Sequence, residues 1–174
     1  KALSKGEITH GSVTETTISR YISSLRVFFD YMTLIGAVKE NPVDRIRHPR
    51  LRKKIPSFLT IEEVREIINA YNEEKELKYR TIVATLYFCG LRVSELCNLK
   101  VEDVSFYPAY VKVVMGKGNK DRLVPISDNI VPLLEKYEKE YKPKVYFFEN
   151  TGRSLAPSTV FRIVKRAAKK AGIT

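Results

Sequence analysis

The chain has 174 residues, of which 44% are apolar, and carries 31 Lys and Arg against 20 Asp and Glu, a net charge of +11. This length and apolar content suffice for one ordinary core, or for a medium core with a small helical addition. The sequence shows neither the ~20 consecutive apolar residues of a membrane span nor a signal-peptide pattern, so we expect a cytoplasmic protein. The charge predicts a polyanionic partner, although a solvated basic surface would give the same count.

The two cysteines, Cys89 and Cys97, both lie in apolar helical patterns. With only His10 and His48 as imidazoles, they cannot supply a plausible zinc site, and two thiols make no disulfide framework. We therefore expect two buried free thiols and no zinc site.

The amino-terminal part predicts one amphipathic helix over residues 13–35. Before it, the first dozen residues lack periodicity and begin with Lys1 rather than Met, so we expect the natural start to lie elsewhere. Thr17 and Arg20 are candidates for phosphate contacts, the alternative being an ordinary solvated helix face. An apolar stripe that needs a packing partner is formed by Ile18, Ile22, Leu25, Phe29, Met32 and Ile35.

Residues 41–56 contain three prolines and break the helical pattern. Residues 1–58 hold 11 Lys and Arg against 5 Asp and Glu, so +6 of the net charge lies in the first third of the chain. We therefore expect an extended basic linker over 45–57 that contacts the polyanion together with the small domain before it. The cations of this segment are Arg45, Arg47, Arg50, Arg52, Lys53 and Lys54.

A second domain begins near residue 58, where Thr60 and Glu63 have the spacing of a capping box. Helical periodicity over 61–71 and 77–88 predicts two helices, the second ended by Gly90. The β-rich segments 110–115 and 123–126 flank a Gly-containing turn and predict an antiparallel hairpin.

Helical spacing returns over 130–141, a strand is predicted at 145–148, and a last helix begins at Pro157. The elements together predict a mainly α-helical protein with a small antiparallel β-sheet, the α+β class. One face of the last helix is basic and carries no acid; it holds Arg162, Lys165, Arg166, Lys169 and Lys170.

Four segments of this sequence resemble the tyrosine recombinase (phage integrase) family in its Xer-like branch. They are Gly90-Leu91-Arg92-Val93-Ser94-Glu95-Leu96, Gly116-Lys117-Gly118-Asn119-Lys120, Leu59-Thr60 followed by Glu62-Glu63, and Asn41-Pro42 after Phe29-Asp30-Tyr31. The first two together are highly specific, and the resemblance runs from about Thr14 to the last residue.

The resemblance implies the C-terminal part of a helical core-binding (SAM-like) domain over 1–44, the basic linker over 45–57, and the N-terminal part of a catalytic domain over 58–174. In this family the two domains enclose duplex DNA, and strands are cut and rejoined through a phosphotyrosine link without metal or cofactor. The implied partners are double-stranded DNA and other recombinase protomers in the nucleoid, with no membrane and no small-molecule substrate.

The resemblance also assigns roles. A guanidinium can bind two nonbridging phosphate oxygens, which suits Arg92, and Glu95 one helical turn later can orient it. Lys117 matches the family lysine that protonates the leaving 5′ oxygen, with Lys120 as the local alternative. Without the family, an ordinary ion pair and a solubilising turn would explain these residues. The predicted DNA-binding residues are Thr17, Arg20, Arg45, Arg47, Arg50, Arg52, Lys53, Lys54, Lys120, Arg122, Arg162, Lys165 and Arg166.

The sequence departs from the family at its end. It stops at Thr174, before the His-x-x-Arg box, the second His or Trp and the nucleophilic tyrosine, and none of its ten tyrosines has the nucleophile's context. We therefore expect a DNA-binding fragment of a recombinase that is inactive by itself. Two alternatives are a natural truncated DNA-binding protein that regulates or competes with an intact recombinase, and a gene remnant.

Overall fold

The computed structural model describes residues 13–50, 58–114 and 121–173. The chain divides into two compact units, Lys1–Ser57 and Phe58–Thr174. Within the described ranges, no helix combines the length and the apolar content that crossing a membrane requires.

The first unit contains helix α1 (Glu15–Leu34), which begins at an N-cap that the sequence reasoning missed. The Thr14 hydroxyl accepts a hydrogen bond from the Thr17 amide at 3.3 Å and so satisfies one free donor of the first turn. The apolar stripe is unevenly covered, since Ile22 is 3% exposed whereas Leu25 and Ile35 are 39% and 55% exposed.

The segment after α1 folds back onto the helix through Asn41. Its amide nitrogen donates to the Arg26 carbonyl at 3.1 Å and to Asp30 Oδ1 at 2.7 Å, and its amide oxygen accepts from the Val43 amide at 2.8 Å. Both donors and one acceptor site of this buried amide are therefore satisfied.

Arg26 continues this attachment. One terminal nitrogen donates to the Ile46 carbonyl at 3.1 Å, and the other lies 3.3 Å from His48 Nε2, while His48 Nδ1 lies 3.0 Å from Ser19 Oγ. The first residues of the predicted linker are therefore fastened to α1, which the proline content alone did not indicate.

The second unit begins with helix α2 (Ile61–Asn69) and the predicted capping box, which the structure confirms. The Thr60 hydroxyl accepts from the Glu63 amide at 3.2 Å, and Glu63 Oε2 accepts from the Thr60 amide at 2.6 Å. A 3-10 turn (Glu74–Glu76), helix α3 (Leu77–Cys89), helix α4 (Val93–Asn98) and a second 3-10 turn (Val101–Asp103) follow.

A three-stranded antiparallel sheet comes next, in the order β1 (Val104–Phe106), β2 (Ala109–Val113) and β3 (Arg122–Pro125). The predicted hairpin of β2 and β3 is confirmed, with Val113 opposite Arg122 in the pair nearest the connecting segment. The sequence reasoning missed β1, whose three residues are too few to show a strand's alternation.

The chain ends with helix α5 (Val131–Tyr141), a short hairpin of β4 (Glu149–Asn150) and β5 (Arg153–Ser154), and helix α6 (Pro157–Lys170). The strand predicted at 145–148 is wrong: the segment bends, and Tyr146 forms an isolated bridge with Lys100. The apolar run has a different cause, because Phe147 and Phe148 are both fully buried against Tyr137. The predicted mainly α-helical class with a small antiparallel sheet is confirmed.

The core of the second unit joins α2, α3, α4, α5, α6 and the sheet. As predicted, Cys89 and Cys97 are buried free thiols, 5% and 3% exposed, and burial raises the pKa of Cys89 to about 11. The most completely buried large side chains are Tyr71, Tyr137, Phe147, Phe148, Ile82, Leu96 and Leu134.

Helix α6 is held by polar contacts as well. The Tyr71 hydroxyl donates to the Ile163 carbonyl at 2.9 Å. Lys170 Nζ lies 2.7 and 2.9 Å from the two oxygens of Glu76 and 5.1 Å from the centre of the Tyr71 ring. Lys170, which the helix pattern placed on an acid-free basic face, therefore pairs with an acid from a distant part of the chain.

Replacing Leu96 by Ala should destabilise the protein by about 2–5 kcal/mol, because the side chain is fully buried and its loss leaves a cavity. The matched control is Leu123→Ala on β3, where the side chain is 64% exposed, with an expected cost of about 0.5 kcal/mol. Urea denaturation followed by circular dichroism measures both. Equal costs would show that Leu96 does not anchor the core.

Candidate active site

The backbone around Gly90 presents one exposed arginine between two buried leucines. Gly90 ends α3 in the left-handed conformation at φ +57°, which glycine adopts without a steric penalty. Leu91 and Leu96 are 6% and 0% exposed and fix the two ends of the following turn in the core. Arg92, the N-cap residue of α4, is thereby held at the surface.

Glu95 returns to Arg92 from the first turn of α4. Its Oε1 accepts from Arg92 Nη1 at 2.6 Å, and its Oε2 accepts from the Arg92 backbone amide at 2.8 Å. The Glu95 side chain is 8% exposed, whereas the Arg92 side chain is 53% exposed. This pair differs from an exposed surface ion pair, since its acid is buried and fixed from two directions.

Arg122, the first residue of β3, binds the same carboxylate. Its Nη1 donates to Glu95 Oε1 at 2.8 Å and its Nη2 donates to Oε2 at 2.7 Å, a two-pronged arginine–carboxylate contact. Each oxygen of Glu95 thus accepts two hydrogen bonds. The sequence reasoning predicted Arg122 as a DNA contact and did not find this partner, which lies 27 residues earlier.

The electrostatics of the cluster follow from this geometry. The hydrogen bonds from Arg122 are the largest cause that lowers the pKa of Glu95, and together with those from Arg92 they bring it from 4.5 to about 2. Glu95 is therefore ionised at neutral pH. Two guanidinium groups around one carboxylate leave the cluster with a charge of +1 at the surface that Arg92 occupies.

The segment between β2 and β3 contains the other predicted catalytic residue. Lys117 and its alternative Lys120 lie outside the described residues. The strand ends that flank the segment are described: Val113 pairs with Arg122, and Arg122 is fixed on Glu95. The strands that flank the segment are therefore tied to the helix that carries Arg92.

The predicted DNA contacts of the first unit are distributed along α1 and the following segment. Thr17 Oγ1 lies 2.9 Å from Thr14 Oγ1, and Arg20 is exposed. Arg45 is exposed and lies 3.5 Å from Glu40. Arg47 and Arg50 are also exposed, while Arg52, Lys53 and Lys54 lie outside the described residues.

On α6, Arg162, Lys165 and Arg166 are all exposed, as the helix pattern indicated. Arg162 and Arg166 border an open groove together with Tyr71 and Tyr79. Arg162 Nη2 lies 3.3 Å from the Thr159 hydroxyl. Among the residues that the structure describes, no group of three or more His, Cys, Asp and Glu side chains could hold a metal ion.

Comparison with known proteins identifies the class to which this fold and site belong. The profile of the Phage integrase family matches residues 57–174. The chain is 56% identical to a tyrosine recombinase of Thermosipho africanus over 99% of its own length, and 36% identical to the tyrosine recombinase XerA of Pyrococcus furiosus over 90%. The chain belongs to the phage integrase family of tyrosine recombinases.

The chain spans only part of these relatives. It covers 61% of the Thermosipho africanus protein and 54% of the Pyrococcus furiosus protein. The family match confirms the resemblance that the sequence shows in residues 90–96, 116–120, 59–63 and 29–42.

Solved structures share the fold. A crystal structure of XerA recombinase matches 99% of this chain and 67% of its own, with 28% identity and a TM-score of 0.63. Lambda integrase bound to DNA matches 98% of this chain and 61% of its own, with 22% identity and a TM-score of 0.74.

The depressed pKa of Glu95 predicts a stability that depends on pH. A carboxyl whose pKa is lower in the folded state contributes its full stabilisation at pH values above its unfolded pKa of 4.5. This contribution disappears as the pH falls towards the folded pKa of about 2. It amounts to about 3 kcal/mol at most. Glu95→Gln should therefore lose stability relative to the wild type at pH 6 and converge with it near pH 2.

Urea denaturation of both proteins between pH 2 and pH 6 measures this difference. Glu102→Gln, which removes an exposed carboxylate that lies 3.1 Å from Lys100, is the control and should run parallel to the wild type. A Glu95→Gln curve that also runs parallel would contradict the lowered pKa.

Proposed function

We propose that this chain supplies the phosphate-binding arginine of a site-specific DNA recombinase and grips duplex DNA around it. The observation that carries this proposal is the cluster of Arg92, Glu95 and Arg122. It presents one net positive charge, on an arginine held at the surface, in a chain that belongs to the tyrosine recombinases.

The chemistry of strand cleavage explains why an arginine occupies this place. Attack on a phosphodiester places negative charge on the nonbridging oxygens, and a guanidinium donates to two of them while staying protonated. Glu95 holds Nη1 of Arg92 and leaves over half of the side chain exposed. A group already oriented in this way need not be ordered again when the phosphate reaches the transition state.

Lys117 is the proposed proton donor to the leaving 5′ oxygen. A lysine ammonium group can protonate the leaving oxygen as its bond to phosphorus breaks. Lys120 is the alternative in the same segment. Support comes from the family motif and from the described base of the hairpin, where Arg122 joins β3 to Glu95.

DNA binding itself is proposed to rest on phosphate contacts, which position a protein without reading sequence. The net charge of +11 and the exposed arginines of the 45–50 segment and of α6 support this. The solved relatives include lambda integrase bound to DNA and a lambda integrase tetramer bound to a Holliday junction. By analogy, we propose duplex DNA and further protomers as partners of the complete protein, in the nucleoid.

If the chain binds duplex DNA through phosphates, its affinity should fall steeply with salt. The logarithm of the association constant should decline with the logarithm of the salt concentration with a slope of about −0.9 for each phosphate neutralised. Fluorescence anisotropy with a labelled duplex measures the slope. Arg162→Gln with Arg166→Gln should reduce it by about 2. An affinity that does not change with salt would contradict the proposal.

The catalytic assignments can be tested in a chimaera that joins this chain to the remaining segment of the Thermosipho africanus relative. Arg92→Ala and Lys117→Ala should each slow strand cleavage by about 10²-fold, since each removes an interaction that forms in the transition state. Cleavage of a suicide substrate under single-turnover conditions measures the rate.

A substrate with sulfur in place of the leaving 5′ oxygen separates the two roles, because a thiolate needs no proton to leave. It should restore the rate of Lys117→Ala and leave Arg92→Ala slow. If Lys120→Ala is slow and restored by sulfur while Lys117→Ala cleaves normally, then Lys120 is the acid.

A further inference from the structure

Arg122 is directed at a carboxylate, and this changes the role to be expected of it. Both terminal nitrogens donate to Glu95, at 2.8 and 2.7 Å, and the side chain is 37% exposed. We propose that Arg122 is a positioning residue for Arg92: it acts through Glu95, and it does not bind DNA itself. This inference rests on the proposed phosphate-binding role of Arg92.

The contact between Arg122 and Glu95 constrains the geometry around Arg92. A guanidinium that donates both terminal nitrogens to both carboxylate oxygens fixes the plane of that carboxylate as well as its place. With the carboxylate plane fixed, Glu95 Oε1 accepts from Arg92 Nη1 at 2.6 Å in a single orientation. Oε2 accepts from the Arg92 backbone amide. The orientation of Arg92 therefore depends on a contact made by β3.

The net charge of the cluster also depends on Arg122. Arg92 and Glu95 alone sum to zero, and an arginine in a neutral pair attracts a phosphate weakly. With Arg122 the cluster carries +1, and the carboxylate is already occupied by a second guanidinium. Without Arg122, Glu95 would be free to turn both oxygens to Arg92 and hold it away from a phosphate.

The contact between Arg122 and Glu95 also joins two separate elements of the fold. Arg122 stands opposite Val113 in the hairpin pair nearest the connecting segment, whereas Glu95 lies in α4. A displacement of β3 therefore changes the hold on Arg92. The Glu95 carboxylate therefore links the position of β3 relative to α4 with the net charge presented around Arg92.

A double-mutant cycle on DNA binding tests the proposal with the chain itself. Arg122→Gln and Arg92→Gln should each weaken binding to a labelled duplex by about tenfold at low salt. The double variant should be weaker than Arg92→Gln by only a few-fold, comparable to the loss that one exposed charge causes, since Arg122 acts through Arg92. A double variant weakened by the product of both effects would show that Arg122 contacts DNA independently and would overturn the proposal.

Two further variants control the cycle. Arg65→Gln removes one exposed charge from α2, so its small loss should add independently to that of Arg92→Gln. Arg122→Lys keeps the charge and loses the two-pronged contact, so it should recover part of the affinity that Arg122→Gln loses. Arg122→Lys binding as weakly as Arg122→Gln would contradict the charge argument. If circular dichroism shows that Arg122→Gln is unfolded, Arg122→Lys replaces it in the double-mutant cycle.

A measurement without DNA separates this inference from the proposed function. Nitrogen-15 relaxation should show an ordered Arg92 Nε–H group in the wild type and a more mobile one in Arg122→Gln. If the wild type fails to bind DNA but Arg92 loses order in the variant, the proposed function is wrong and the positioning role stands. If DNA binds and Arg92 is equally ordered in both proteins, the positioning role is wrong.

Discussion

The sharing of one buried carboxylate by two arginines is the interaction on which the rest of the site depends. Burying an ionised carboxylate is costly unless charged donors surround it, and removing one partner of such a group is more disruptive than removing an exposed ion pair. Glu95 meets this requirement with Arg92 on its own helix and Arg122 on the hairpin. The contacts of Glu95 therefore constrain both the start of α4, at Arg92, and the position of β3, at Arg122.

The local backbone supports the same arrangement. Gly90 reverses the chain at the end of α3, and Leu91 and Leu96 bury the two ends of the next turn. The motif at 90–96 thus serves two purposes. Its apolar residues anchor the turn in the core, and its charged residues are thereby held in a fixed position at the surface. A site built on helices and strands holds its geometry better than one built on loops alone.

Much of this architecture could be predicted because its signals are local. Helical periodicity, the box of Thr60 and Glu63, the end of α3 at Gly90 and the β2–β3 hairpin each depend on residues close in sequence. The contact of Glu95 with Arg92 has the same origin, since the residues are one helical turn apart.

The remaining features depend on residues that folding brings together from distant positions. Glu95 meets Arg122 across 27 residues, and Glu76 meets Lys170 across 94. Neither pairing has a spacing rule, so Arg122 could be recognised as a cation near a turn and nothing more. At 145–148, an apolar run suggested a strand because burial on both sides of a bend gives the same residue pattern as a buried strand.

The central claim is that Arg92 faces the phosphate while Arg122 stays on Glu95. A crystal structure of this chain bound to a duplex tests it most directly. The account predicts Arg92 within hydrogen-bond distance of a phosphate oxygen, with both contacts between Arg122 and Glu95 kept near the 2.7 and 2.8 Å of the free chain. A complex with Arg122 on the phosphate, or with Arg92 turned away from the DNA, would contradict it.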